Sequence, residues 1–188
     1  MKKTMLLLTA VVLSATFVFA QEAQIPDFKN TPMLLKKDGT ISKLEKATTE
    51  VKTKTKGFSY GASVVSFINI LGGHSPVKIA PEDAMFIMKL ADAETDPEAA
   101  LYLTKVQVAK DTRELELSQS AAAMAAAFGG KGKSVKRDDI KCEYTKVAPG
   151  VYKFVPSTPL TPGTEWGIVF YGSNVTFCFS TTGTAPKK

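Results

Sequence analysis

Short runs of alternating apolar and polar residues, each closed by proline, glycine or a turn-forming pair, fill most of the chain after residue 20. "ASVVSFINIL" halts at Gly72-Gly73, "GVYKFVP" follows Pro149-Gly150, "EWGIVFYG" follows Pro162-Gly163, and "VTFCFST" follows Ser173-Asn174. Period two is the repeat of a β-strand, whose successive side chains point to opposite faces, and it does not fit the 3.6-residue repeat of a helical stripe. The runs "TEVKTKTK", "VKI", "MFIMKL" and "IKCEYTKV" are strand-like as well. "LYLTKVQVAKDTRELEL" holds two runs around Asp111-Thr112, and "PMLLKKDGTISKL" holds two around Lys37-Asp38-Gly39, so each predicts a hairpin. Neither a βαβ rhythm nor a repeat of fixed period is present. The expected fold is all-β: one antiparallel β-sandwich domain, Ig-like or jelly-roll-like, over residues 21–180, with 181–188 as a frayed tail.

One stretch breaks the pattern. In "SQSAAAMAAAFGGKGKS", Ser118 or Ser120 is placed to cap a helix, the alanines to propagate it, and Gly129 to end it. A helix this short needs Met124 and Phe128 to pack against the domain. The same stretch sets Ala127 four residues before Gly132-Lys133-Ser134, close to a nucleotide-binding P-loop. A working P-loop runs strand, glycine turn, helix, so that the helix N-terminus meets phosphate. Here the helix would come first and present its negative end, which argues against nucleotide binding.

The first twenty residues set the compartment. Lys2-Lys3, an apolar run to Phe19 and a close on Val18-Phe19-Ala20 are the parts of a secretory signal peptide, with cleavage expected before Gln21. The position after the cut is not cysteine, and no later apolar run is long enough to span a bilayer. The expected product is exported, periplasmic or extracellular, with no integral membrane segment. Losing Lys2 and Lys3 with the leader lowers the formal charge from +6 to +4. Arg113 and Arg137 are the only arginines, and readers of nucleic acid favour that side chain, so nucleic acid is not an expected partner. Lysines concentrate between Lys29 and Lys56. Lys52, Lys54 and Lys56 share one strand face, which serves either to guard a sheet edge or to attract an anionic partner.

The chemical motifs are sparse. His74 is the only histidine and no C-x-x-C spacing occurs, so neither a metal nor a cofactor is expected. "GFSYG" places Ser59 in a nucleophile-elbow pattern, but no acid lies between it and His74. "DAETDPE" starts like a calcium loop and fails at Pro97 and Leu103; Asp96 is better read as the cap of a helical turn opened by Pro97. Glu82-Asp83 and Asp138-Asp139 read as solvated charges. Cys142 and Cys178 are disulfide candidates in an oxidising compartment, or two buried thiols on separate strands. Trp166 is either core packing or a platform for a sugar ring.

In "IPDFKNTPMLL", "TRELEL", "GVYKFVP" followed by "LTPGTEWG", and "TFCFST", the chain resembles small exported all-β proteins of Bacteroidetes-type bacteria. The resemblance implies a β domain in the periplasm or outside the cell and brings no catalytic residues with it. The expected function is that of a non-enzymatic binding or structural protein of the cell envelope, partnered by an envelope glycan or another envelope protein. Trp166, Tyr171, Tyr60, Lys52, Lys54 and Lys56 are the candidate contacts. The alternatives are a glycan-acting hydrolase with a carboxylate pair drawn from distant strands, and an assembly subunit.

Overall fold

The computed structural model describes residues 24–56, 63–121, 138–173 and 175–184. The leader, Ser59, Tyr60 and the alanine-rich stretch from residue 122 onward lie outside them. The fold is antiparallel β in two sheets, as the alternation predicts. The small sheet runs, in spatial order, β11 (Cys142–Ala148), β12 (Val151–Pro156), β7 (Phe86–Lys89), β1 (Met33–Leu35) and β2 (Ile41–Lys43). The large sheet runs β3 (Glu45–Thr48), β14 (Val175–Thr181), β13 (Glu165–Phe170), β8 (Leu101–Ala109), β9 (Thr112–Ala121), β5 (Ser63–Leu71) and β4 (Glu50–Lys56). Two short strands attach to it: β6 (Lys78–Ile79) parallel to β14, and β10 (Asp139–Ile140) antiparallel to β8.

The large sheet curls. Its two outermost strands, β3 and β4, are consecutive in the chain and joined only through the buried Thr49, so the sheet comes back toward its own beginning. The curl starts where β9 leaves β8. The pair is in register only over Gln107–Ala109, after which β9 pairs with β5 alone. The edge of β8 that this exposes is taken by β10 at Leu103 and Thr104.

A curled sheet packed against a second sheet has two interiors, and period two sorts side chains between them. Along β13, Trp166, Ile168 and Phe170 enter the core between the sheets, where they meet Phe86, Met88, Phe154, Phe177 and Phe179. Val169 turns the other way, into the curl, with Ile68, Ile70, Tyr102, Val106, Leu115 and Cys178. Every residue of β13 is buried for this reason. The curl is tight: a Cβ on Gly167 would come within 2.8 Å of Thr176 Cγ2 and 3.2 Å of Val106 Cγ2.

The predicted turns are present. At Lys37-Asp38-Gly39, Gly39 takes φ of 79° and Asp38 Oδ1 accepts from the Thr40 amide at 3.0 Å. The β8–β9 hairpin turns at Lys110-Asp111, and Gly150 turns the β11–β12 hairpin at φ of 69°. Asp96 caps the single helical turn α1 (Pro97–Ala100), its carboxylate accepting from the Glu98 amide at 3.0 Å. Two expectations are corrected. Ser118, Ser120 and Ala121 do not open a helix, because they continue β9 opposite β5 down to the Ala121–Ser63 pair. The tail does not fray from residue 181: Thr181 is buried within β14, and the Thr182 amide donates to Ile79 O at 2.9 Å.

Candidate functional site

Charged groups gather at one end of the curl. Arg113 and Leu115 share a face of β9, which places the guanidinium inside, 1% exposed. A cation buried this deeply needs a full set of acceptors. Its Nη1 and Nη2 donate to Glu45 Oε2 and Oε1 at 2.7 Å each, Nε donates to Gly72 O at 2.9 Å, and Nη2 donates to Leu71 O at 3.1 Å. Glu165, 4% exposed, lies 3.7 Å from Nη1. Its Oε2 accepts from the Ser75 amide at 3.0 Å, and its Oε1 accepts from Ser180 Oγ at 2.5 Å and lies 3.0 Å from His74 Nδ1. Burial alone would push the Glu45 carboxyl up, but the Arg113 and Ser75 hydrogen bonds and the Arg113 charge outweigh it, holding Glu45 below its ordinary value.

This cluster contains a serine, a histidine and two carboxylates in the wrong connectivity for nucleophilic catalysis. A triad needs the hydroxyl on the imidazole and the acid behind it. Ser180 instead donates to the acid and lies 3.2 Å from Ser75 O, while Glu45 and Glu165 are tied to one arginine. The arrangement does structural work: it anchors the Leu71–Ser75 turn over the end of the curl.

The predicted contact residues are dispersed. Trp166 is 2% exposed in the core between the sheets, so it is packing and no platform. Lys52 pairs with Glu50 at 3.4 Å. Lys54 pairs with Glu114 at 2.5 Å and lies 4.5 Å from the centroid of the Phe67 ring. Lys56 falls at the end of β4, its side chain outside the described set, and Tyr60 is outside it altogether. Two of the three stripe lysines are thus neutralised by their own strand or a neighbour, in keeping with an edge-guarding role. Of the two readings of the cysteines, a disulfide or separate thiols, the structure has the second: both are free. Cys142 packs against the core between the sheets, and Cys178 faces into the curl, so the large sheet lies between them. Burial pushes each thiol up to about 12.

Among the four whose side chains are described, Tyr171 lines a groove. It stands 54% exposed just after β13, its ring centroid 5.0 Å from that of Tyr102. These two rings and Tyr144 line a groove of about 420 Å³ together with Glu98, Asp139 and Lys141. The groove opens where the chain passes from β10, in the large sheet, to β11, in the small one, with α1 across its mouth. Tyr144 is fixed by stacking on Phe154, centroids 5.4 Å apart. Burial first, then the nearby acidic groups Cys142, Glu98 and Asp96, push its hydroxyl above the ordinary tyrosine value, so it remains a neutral donor. Tyr102 and Tyr144 carry no motif; only their alternation in "LYLTK" and "CEYTK" marks them as sharing a face with other strand residues.

No described helix is long and apolar enough to cross a membrane. Compared with protein-family models, curated proteins and solved structures, the chain matches none.

Proposed function

We propose that the chain is an exported, non-enzymatic binding protein of the cell envelope that takes a glycan at the Tyr171 groove. The observation carrying this reading is the tyrosine-lined groove itself, edged by Glu98, Asp139 and Lys141. Sugar rings bind to such surfaces because their C–H faces stack on aromatic rings while their hydroxyls hydrogen-bond to flanking carboxylates and ammonium groups. The leader-like first twenty residues supply the route out of the cytoplasm. The acid–base groups gathered at the end of the curl favour binding over catalysis, since Arg113 and the Ser75–Ser180 hydrogen bonds occupy them.

The test is a panel of envelope and host glycans against the purified chain and Tyr171→Ala. Binding should fall at least about tenfold in the variant, the loss of one stacked ring, while its unfolding midpoint stays close to that of the parent. A panel without a single binder, or undiminished binding by Tyr171→Ala, would sink the reading. One observation favours glycan hydrolysis as a second reading: Glu98 and Asp139, from α1 and β10, line the same groove. Reducing sugar released from a bound glycan, and abolished in Glu98→Gln and Asp139→Asn, would establish it in place of simple binding.

A further inference from the structure

A second groove, sharing no lining residue with the Tyr171 groove, opens on the opposite edge of the sandwich, where the chain passes from β2 in the small sheet to β3 in the large one. Its volume is about 530 Å³. Phe28, Met33, Ile41, Leu44 and Phe177 give it an apolar trough, and Phe28 is 68% exposed although it is a large hydrocarbon surface. Lys29, Lys43 and Lys46 stand around the trough, with Asp27 as the one acid lining it. None of these lysines forms an ion pair among the described residues, in contrast to Lys37, Lys52 and Lys54, each of which has a carboxylate partner.

We infer that this groove binds a single-chain anionic amphiphile, an alkyl carboxylate of the fatty-acid type, with its tail along Phe28, Met33, Ile41, Leu44 and Phe177 and its carboxylate among Lys29, Lys43 and Lys46. The two halves of the ligand follow from the two halves of the lining. The trough gains by covering the hydrocarbon of the tail, methylene by methylene. The three ammonium groups together supply the charge complementarity that separates the carboxylate from its uncharged analogue, so both parts are required for selective binding. The volume is in the range of small-molecule sites. This inference is independent of the glycan reading.

Titration calorimetry with decanoate, 1-decanol and acetate tests it. Decanoate binds; 1-decanol binds at least about tenfold more weakly, and acetate gives no signal. Lys43 and Lys46 are exposed, so Lys43→Ala/Lys46→Ala leaves the fold intact and weakens decanoate about tenfold while leaving 1-decanol unchanged. Phe28→Ala weakens both ligands, and Lys29→Ala serves as an independent charge variant. Absence of decanoate binding, or equal decanoate affinity in the lysine variants and the parent, overturns the inference. So does adsorption to phosphatidylglycerol vesicles that decanoate does not compete, which would make the lysines a membrane-surface patch. Glycan binding measured alongside on Lys43→Ala/Lys46→Ala should be unaffected, which keeps failure of one reading distinct from failure of the other.

Discussion

Replacing Arg113 with methionine removes the most heavily bonded charge in the molecule and keeps much of its apolar stem. The guanidinium makes four hydrogen bonds and a longer ion pair to Glu165. Glu45 is partly open to water and recovers some solvation when the arginine is gone. The carbonyls of Leu71 and Gly72 lose their donor, and Glu165, 4% exposed, loses the charge 3.7 Å away. Breaking one side of a buried ion pair in this way costs about 3–5 kcal/mol. Urea unfolding followed by the fluorescence of Trp166, the only tryptophan, reads that loss at pH 7. The pH dependence supplies the second arm. Glu45 has its folded-state pKa held below the ordinary 4.5, so its contribution is present above that value and is lost as pH falls through the lowered one. The unfolded chain binds more protons in that window, and stability falls with acid in the parent. Arg113→Met lacks this increment, so the gap between parent and variant narrows below about pH 4.5. Glu45→Gln keeps the shape and acts as the milder companion, losing about 1–3 kcal/mol at pH 7. The reasoning is refuted if Arg113→Met costs under about 1 kcal/mol at pH 7, or if the gap is the same at pH 3 as at pH 7.

Gly167→Ala should cost about 1–3 kcal/mol, because its Cβ would sit 2.8 Å from Thr176 Cγ2; Thr176→Ser, which deletes that methyl, should recover most of the loss in a double-mutant cycle on unfolding midpoints. With both thiols pushed up to about 12, neither Cys142 nor Cys178 should react appreciably with a thiol reagent at pH 8 in the folded protein, and both should react in urea. Intact mass should be unchanged by reductant, and a rise of two daltons would contradict the free thiols.

Strands were legible in the sequence because period two is a local signal, and the turns at Gly39 and Gly150 were legible because glycine carries its own backbone preference; the third hairpin, expected around Asp111-Thr112, turns one residue earlier, at Lys110-Asp111, with Lys110 at φ of 54°. The curl was not legible. It depends on β9 parting from β8 after Gln107, a non-local event that no residue in "TRELEL" announces. Misreading Ser118 and Ser120 has the same origin: their capping propensity is real, but pairing with β5 holds both in the strand. With the curl unseen, the second interior was unseen too. Nothing local marks Arg113 and Glu165 as a buried pair, and of the two readings of Trp166, core packing or a platform, the structure has the first. Tyr171 was the contact residue whose exposure followed from local pattern alone, since it stands just past the last inward residue of β13, beside Gly172.

The two grooves share a cause in the topology. Among the described strands the chain crosses between the two sheets five times, and two of these crossings are a single residue long: Leu44, between β2 and β3, and Lys141, between β10 and β11. The strands β2 and β11 are the two edges of the small sheet, so these two crossings fall on opposite sides of the sandwich. At a crossing the chain leaves one ladder before it joins the other, and no strand covers the gap. What fills the gap is decided by the side chains that happen to flank it. At Lys141 these are tyrosines and carboxylates; at Leu44 they are phenyl rings, aliphatic chains and lysines without an ion-pair partner among the described residues. A depression of about 430 Å³ lies between them, sharing Lys29, Thr31, Lys46 and Phe177 with one groove and Tyr171 with the other. The frame that makes the openings is therefore indifferent to ligand chemistry, and recognition at each can change without disturbing the ladders. That separation explains how one antiparallel frame carries two grooves of different lining chemistry.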